Sequence, residues 1–212
     1  MRLDIEAGLL GPLQLRVGGD ALAPAGARQR ACLALLLLAR GRAVPAERLS
    51  EELWGEALPE RGRASLQMQI SRLRRWLSEA GLERGALVAE QGGYALAVHG
   101  LRLDADRFEQ LLEAGRRRVE AADSDGGAAH LREALGLWRG GALEDAGDGP
   151  QVAAARARLE AVRLSARIEL ADAELRLGRN NAVISDLESL CDECPFDERP
   201  ARPADDGAVP GR

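Results

Sequence analysis

The sequence predicts a chain in two parts: an α+β region of short strands, three helices and a hairpin over residues 1–100, and an all-α region over residues 104–198. Three observations lead there. Short apolar stretches broken by glycine and proline stand at both ends of the first hundred residues, whereas beyond His99-Gly100 the apolar positions recur with helical spacing only. The charge changes sign between the parts, with 13 arginines against 11 acids in residues 1–100 and 16 against 23 in residues 101–212. Within the first part, residues 61–80 hold five arginines and one acid in a segment that itself reads as a helix.

Residues 1–24 read as a small antiparallel sheet. Leu9, Leu10, Leu13, Leu15 and Val17 alternate loosely around Gly11-Pro12, and Gly18-Gly19-Asp20 is a hairpin-type turn before Ala21-Leu22-Ala23. Ala27 to Arg40 consists almost wholly of strong helix formers, is apolar nearly all round and stops at Gly41, which predicts a buried helix. Pro45 suits a helix start, and Leu49, Leu53 and Trp54 carry a short second helix to Gly55 and Pro59. In a third helix over about residues 62–79, Leu66, Ile70, Leu73 and Leu77 make one core stripe. Ser65, Gln69, Arg72 and Trp76 flank that stripe, and Ser71, Arg74, Arg75 and Ser78 project from the remaining faces. Residues 87–98 are two short apolar strands about a glycine turn, a β-hairpin.

Four helices follow. Phe108, Leu111, Leu112 and Val119 predict the first, and Leu131, Ala134, Leu135 and Trp138 the second. Residues 151–177 predict a long third helix with Leu159, Val162, Ile168, Leu170 and Leu177 as core positions and Arg156/Glu160 spaced for an i, i+4 ion pair. Val183, Ile184, Leu187, Leu190 and Cys191 predict a fourth, ending at Pro195, and residues 199–212 hold too little apolar surface to fold.

Composition narrows the function. A chain of 212 residues, 46% hydrophobic and 30% charged, can bury a core, and no apolar run approaches the roughly 20 residues that cross a bilayer. Acids stand near the N-terminus where an export signal carries basic residues, which predicts a cytoplasmic protein. All 29 basic residues are arginine, a mark of genome composition from which no mechanism is drawn. Cys191 and Cys194 have half of a metal or redox spacing, but no second pair exists and the two histidines, His99 and His130, are far away in sequence, so no metal is expected. With no phosphate-cradling glycine loop and no nucleophile set, the expectation is a protein that is not an enzyme and uses no cofactor.

A basic helix inside a frame of strands, three helices and a hairpin is a winged-helix design, in which the third helix enters the DNA major groove and the hairpin touches the backbone or minor groove. Arginine reads guanine bidentately, glutamine reads adenine, and serines and outer arginines hold phosphates. The same run of charge also suits a merely solvated helix face.

Leu10-Gly11-Pro12-Leu13, Arg28-Gln29-Arg30, Leu49-Ser50-Glu51-Glu52-Leu53-Trp54-Gly55, Ile70-Ser71-Arg72-Leu73-Arg74-Arg75 and Gly93-Tyr94 stand in a family order. Over about residues 3–198 the chain resembles the Streptomyces antibiotic regulatory protein (SARP) family, activators with an OmpR/PhoB-type winged helix followed by a bacterial transcriptional activation domain. The resemblance implies base contacts from Ser65, Gln69 and Arg72, and phosphate contacts from Ser71, Arg74, Arg61 and Arg63, with Arg75 on the same basic helix. It implies a wing turn at Gln91, Gly92 and Gly93, and a loop of Trp54, Gly55, Glu56 and Pro59 facing RNA polymerase, although Trp54 equally suits a core plug. The wing departs from the family pattern: where members carry basic residues, this chain has Glu90 and Ala95, which weakens backbone contact. Tyr94 reads as a core residue of the hairpin.

The C-terminal half resembles tetratricopeptide-type helix pairs, with Leu170, Ala171, Gly178, Val183, Leu187, Leu190 and Pro195 at the repeat positions. Stacked pairs need neighbours to cover their apolar faces, and family members carry further helices where this chain has its Pro/Gly/Asp tail, so self-association is expected. The function implied by the resemblance is a sequence-specific activator of secondary-metabolite (antibiotic) genes, bound as a homodimer to direct repeats of double-stranded promoter DNA. It would recruit RNA polymerase through its sigma or alpha subunit regions. The alternative is a protein-interaction adaptor, or a regulator that does not activate, whose helical part binds a partner.

Overall fold

The computed structural model describes residues 4–55, 57, 59, 62–90, 92–180 and 183. Its N-terminal sheet holds β1 (Ile5–Gly8), β2 (Gln14–Val17) and β3 (Asp20–Leu22), paired antiparallel in sequence as expected. A strand that the sequence pattern does not announce completes it: β7 (Leu101–Leu103) lies parallel to β1, with Ile5 opposite Leu101 and Ala7 opposite Leu103. The strand order is β3-β2-β1-β7, so the entry to the helical region is part of the N-terminal sheet.

Between these strands stand α1 (Ala27–Leu38), α2 (Ala46–Trp54) and α3 (Gly62–Glu79). In α1, seven consecutive residues from Ala31 to Leu37 are buried, because helices and strands surround it on every side. The hairpin is β5 (Leu87–Glu90) and β6 (Gly93–Leu96), joined by a two-residue β4 (Val44–Pro45) in a second sheet of order β4-β6-β5. Gly93 makes that sheet possible: a Cβ there would collide with the Val44 carbonyl across the β4–β6 pair.

The helical region packs α4 (Asp104–Glu120), α5 (Ser124–Leu135) and α6 (Pro150–Arg176). Phe108, Leu111, Leu112, Leu131, Ala134, Leu159 and Leu170 are buried as their spacing predicts. Three details differ from expectation. Ile168 is 59% exposed and belongs to no core. Trp138 follows α5 rather than lying in it, and meets Phe108 edge-on at 5.5 Å with the Arg163 guanidinium 4.6 Å from its own ring centroid. Arg156 does not pair with Glu160. It binds the Asp148 carboxylate at 2.9 Å and the carbonyls of Ala142, Leu143 and Gly147, while Glu160 accepts from the Ala142 N–H. The loop before α6 turns these carbonyls toward Arg156, and a guanidinium reaches several at once.

Three carboxylates stitch the two regions together. Asp104 accepts from the N–H groups of Leu9 and Leu10, at 2.7 and 3.1 Å, and from Arg139. Asp145 accepts from the Leu13 N–H at 2.7 Å and pairs with Arg30 at 3.2 Å. Glu52 of α2 is buried and accepts from the N–H groups of Gln151 and Val152 in the first turn of α6. These N–H groups have no partner within their own helix, and the positive end of the helix dipole favours the charge. Gly149 leaves room for Glu52, whose carboxylate a Cβ would strike. Val183 is buried, whereas the rest of the expected fourth helix, Cys191 and Cys194, and the tail lie outside the described residues. Among the described residues no helix is long and apolar enough to cross a membrane.

Candidate nucleic-acid interface

The exposed side of α3 is built by its buried side. Leu66, Ile70, Leu73 and Leu77 are all buried, so the helix has one rotational setting, and at 100° per residue the opposite face is occupied by Ala64, Met68 and Arg75, with Glu79 at its C-terminal end and Arg72 at its edge. All five are exposed. Arg63 and Ser71 are exposed as well, on the flank toward the N-terminal end and the middle of the helix respectively. Ser65 and Gln69 are half-buried on the other shoulder, and Trp76 in the same row packs against the core. The outward face therefore centres on Met68 and Arg75, with Arg72 exposed at its edge, where it begins the row of Ser65, Gln69 and Trp76.

The arginines divide by what they already hold. Arg63 and Arg72 make no ion pair among the described residues, and Arg75 has only an exposed partner four residues on, Glu79 at 3.9 Å. Exposed pairs of that kind contribute little and open readily. Arg74 differs: its Nε donates to the Leu87 carbonyl at 2.9 Å, and its guanidinium lies 5.9 Å from the Tyr94 ring centroid. It thus ties α3 to the hairpin, and what it retains for a ligand is its outer nitrogens. Tyr94 is half-buried against the core, as expected for a hairpin anchor.

The hairpin itself is polar only at its tip. Glu90 is exposed opposite Gly93, and Gly92 turns with a φ of +84°, a left-handed conformation that glycine adopts without strain. Ala95 is buried, so a basic side chain at that position would point into the protein. Arg61, Gln91 and Glu56 lie outside the described residues. At the end of α2, Trp54 is half-buried, packs on the core and has the Arg28 guanidinium 6.0 Å from its ring centroid. Gly55 is exposed, and Pro59 half-buried.

Two residues escape a reading of the sequence by motif. Met68 was legible in principle, since the periodicity that defines the core stripe puts it on the opposite side. Glu52 was not, because its partners lie about a hundred residues away. Among the described residues no group of three or more histidines, cysteines or acids is placed to hold a metal ion. Cys32, the described cysteine, is fully buried, and burial pushes its thiol up to about 12.

Comparison with known proteins follows the same two-part division. Residues 23–96 match the family described as transcriptional regulatory protein, C terminal, and residues 103–204 match the bacterial transcriptional activator domain. The chain is 34% identical over 200 residues to the regulatory protein DnrI of Streptomyces peucetius, covering 92% of this chain and 74% of that protein. It is 37% identical over 195 residues to the transcriptional regulatory protein EmbR of Mycobacterium tuberculosis, covering 92% of this chain and half of that protein. The regulatory protein AfsR of Streptomyces coelicolor is 37% identical over 198 residues, which are 19% of its length. Among solved structures, Mycobacterium tuberculosis EmbR in complex with a low-affinity phosphopeptide aligns with a TM-score of 0.82 at 34% identity, over 92% of this chain and 52% of that one.

Proposed function

Since the chain belongs to the Streptomyces antibiotic regulatory protein family of transcriptional regulators, we propose that it is a sequence-specific activator that reads promoter DNA with the outward face of α3. The observation that carries this reading is Arg72: it is exposed midway along α3, in a rotational setting dictated by four buried apolar residues, with no ion pair among the described residues. An arginine so placed reaches guanine O6 and N7 in the major groove. Gln69 and Ser65 on the adjoining shoulder reach neighbouring base edges. Arg63, Arg75, Ser71 and the outer nitrogens of Arg74 hold phosphates, with Arg61 at the approach to the helix. The hairpin tip at Gln91, Gly92 and Gly93 lies along the backbone, weakened there by Glu90.

The chain acts in this reading as a homodimer on direct repeats beside genes of secondary metabolism. RNA polymerase meets the loop of Trp54, Gly55, Glu56 and Pro59. Glu52, two residues before that loop, accepts from the first turn of α6, which ties this surface to the helical region.

The test is retardation of duplex DNA by the whole chain, with salt varied and Arg72→Ala as the control. Specific binding that Arg72→Ala weakens by about 1–3 kcal/mol supports the reading, and equal, strongly salt-sensitive binding by both proteins overturns it. A second reading, an adaptor whose helical region binds a partner, is favoured by the exposure of Leu164, Ile168 and Leu175 along α6. Charge reversal at Arg72 separates the two, since an adaptor keeps its partner.

A further inference from the structure

We propose that Met68 is a specificity-determining residue that recognises the C5-methyl group of a thymine in the bound site. This inference rests on the reading of α3 as the DNA-contacting helix and adds to it a base that the polar residues do not select.

Met68 is 53% exposed, the one large apolar side chain left in solvent on α3. Its position is not set by the core: the stripe of Leu66, Ile70, Leu73 and Leu77 lies on the far side of the helix, and Met68 is not among the side chains packed on the core. Arg72 follows it by one turn and Arg75 by two, and Ala64 precedes it by one. The middle of the face is thus an apolar surface of Ala64 and Met68 beside a cationic one of Arg72 and Arg75. In the major groove, thymine alone presents a methyl group, next to an acceptor oxygen, whereas guanine presents two acceptors. A thioether on three rotatable bonds adapts its shape to an apolar partner, and burying it against a methyl group removes both from water. The same exposed methionine has no such advantage on a face that meets only phosphates.

The experiment first selects tight sites for the whole chain from a randomised duplex library. Each thymine of the selected site is then replaced by deoxyuridine, which deletes the methyl group and leaves base pairing intact. For the wild-type chain, one or two replacements should weaken binding about fourfold each, the effect of losing one buried methyl. Met68→Ala should bind the thymine and uracil duplexes equally at those positions, and Met68→Leu, which keeps an apolar side chain, should retain the preference. Melting temperatures of the variants should match wild type, because the side chain is exposed. A wild-type chain indifferent to every uracil replacement overturns the proposal, as does a Met68→Ala variant that keeps the full preference. If the library yields no enriched sequence, or if Arg72→Ala selects the same site as tightly, the DNA reading of α3 fails and the proposal with it. A selected site read by Arg72 but blind to the methyl groups leaves the DNA reading standing and refutes only the role of Met68.

Discussion

The carboxylate of Glu52 accepts a hydrogen bond from the N–H of Val152 at 3.1 Å, across a hundred residues of sequence, with a second from the neighbouring Gln151 N–H at 2.8 Å. One buried side chain on α2 thereby closes the start of the 27-residue helix α6. Removing it leaves two N–H groups without partners. Glu52→Ala should lower stability by about 2–3 kcal/mol, as expected for hydrogen bonds to a charged group, and Glu52→Gln by less, since one acceptor oxygen remains. Denaturant titration measures both. Unchanged midpoints would mean that the contact contributes nothing to joining the two regions.

Arg72 and Arg74 stand two residues apart on one helix and should behave oppositely. Arg72→Ala should leave the melting temperature within experimental error and cost about 1–3 kcal/mol of specific DNA affinity. Arg74→Ala should lower stability by about 1 kcal/mol, since it removes the hydrogen bond from α3 to the Leu87 carbonyl and the stacking on Tyr94. Thermal melts paired with binding curves distinguish them. Equal melting temperatures for the two variants would refute the tether.

Acid should loosen the helical region. The Arg116 guanidinium, with help from Ser165, holds the Glu169 carboxyl below its usual range, and the Gly126 N–H, followed by Arg118, does the same for Asp123 at the start of α5. A depressed carboxyl stabilises the fold above its unfolded pKa and loses that contribution as pH falls through the lower, folded value. Stability should thus decline below about pH 4.5, and Glu169→Gln should flatten part of that decline. A pH series of denaturant midpoints in which the variant and wild type fall in parallel would exclude Glu169 as a contributor.

Cys32 should be inert in the native protein. Its thiol is buried in α1 and raised to about 12, so almost no thiolate exists at neutral pH. Alkylation mapped by mass spectrometry should label Cys32 only under denaturing conditions. Labelling of Cys32 in the folded chain at the rate of an exposed thiol would contradict the burial.

Helix-forming composition and apolar periodicity marked the six described helices, and periodicity fixed the core side of α3 and hence its outward residues, because a strict apolar spacing leaves a helix one way to face its neighbours. It also marked the basic helix and the hairpin, whose turn residues act locally. Tertiary structure decided the rest. Strands β4 and β7, of two and three residues, carry no pattern of their own and exist only through pairing with β6 and β1. Tertiary contacts likewise sent Arg74 to the hairpin, Arg156 to a set of loop carbonyls and Ile168 to solvent. They also brought Glu52 to α6. A charged side chain's partner is set by which unpaired backbone groups the fold brings within hydrogen-bonding distance, and that distance is a property of the folded chain rather than of residue spacing.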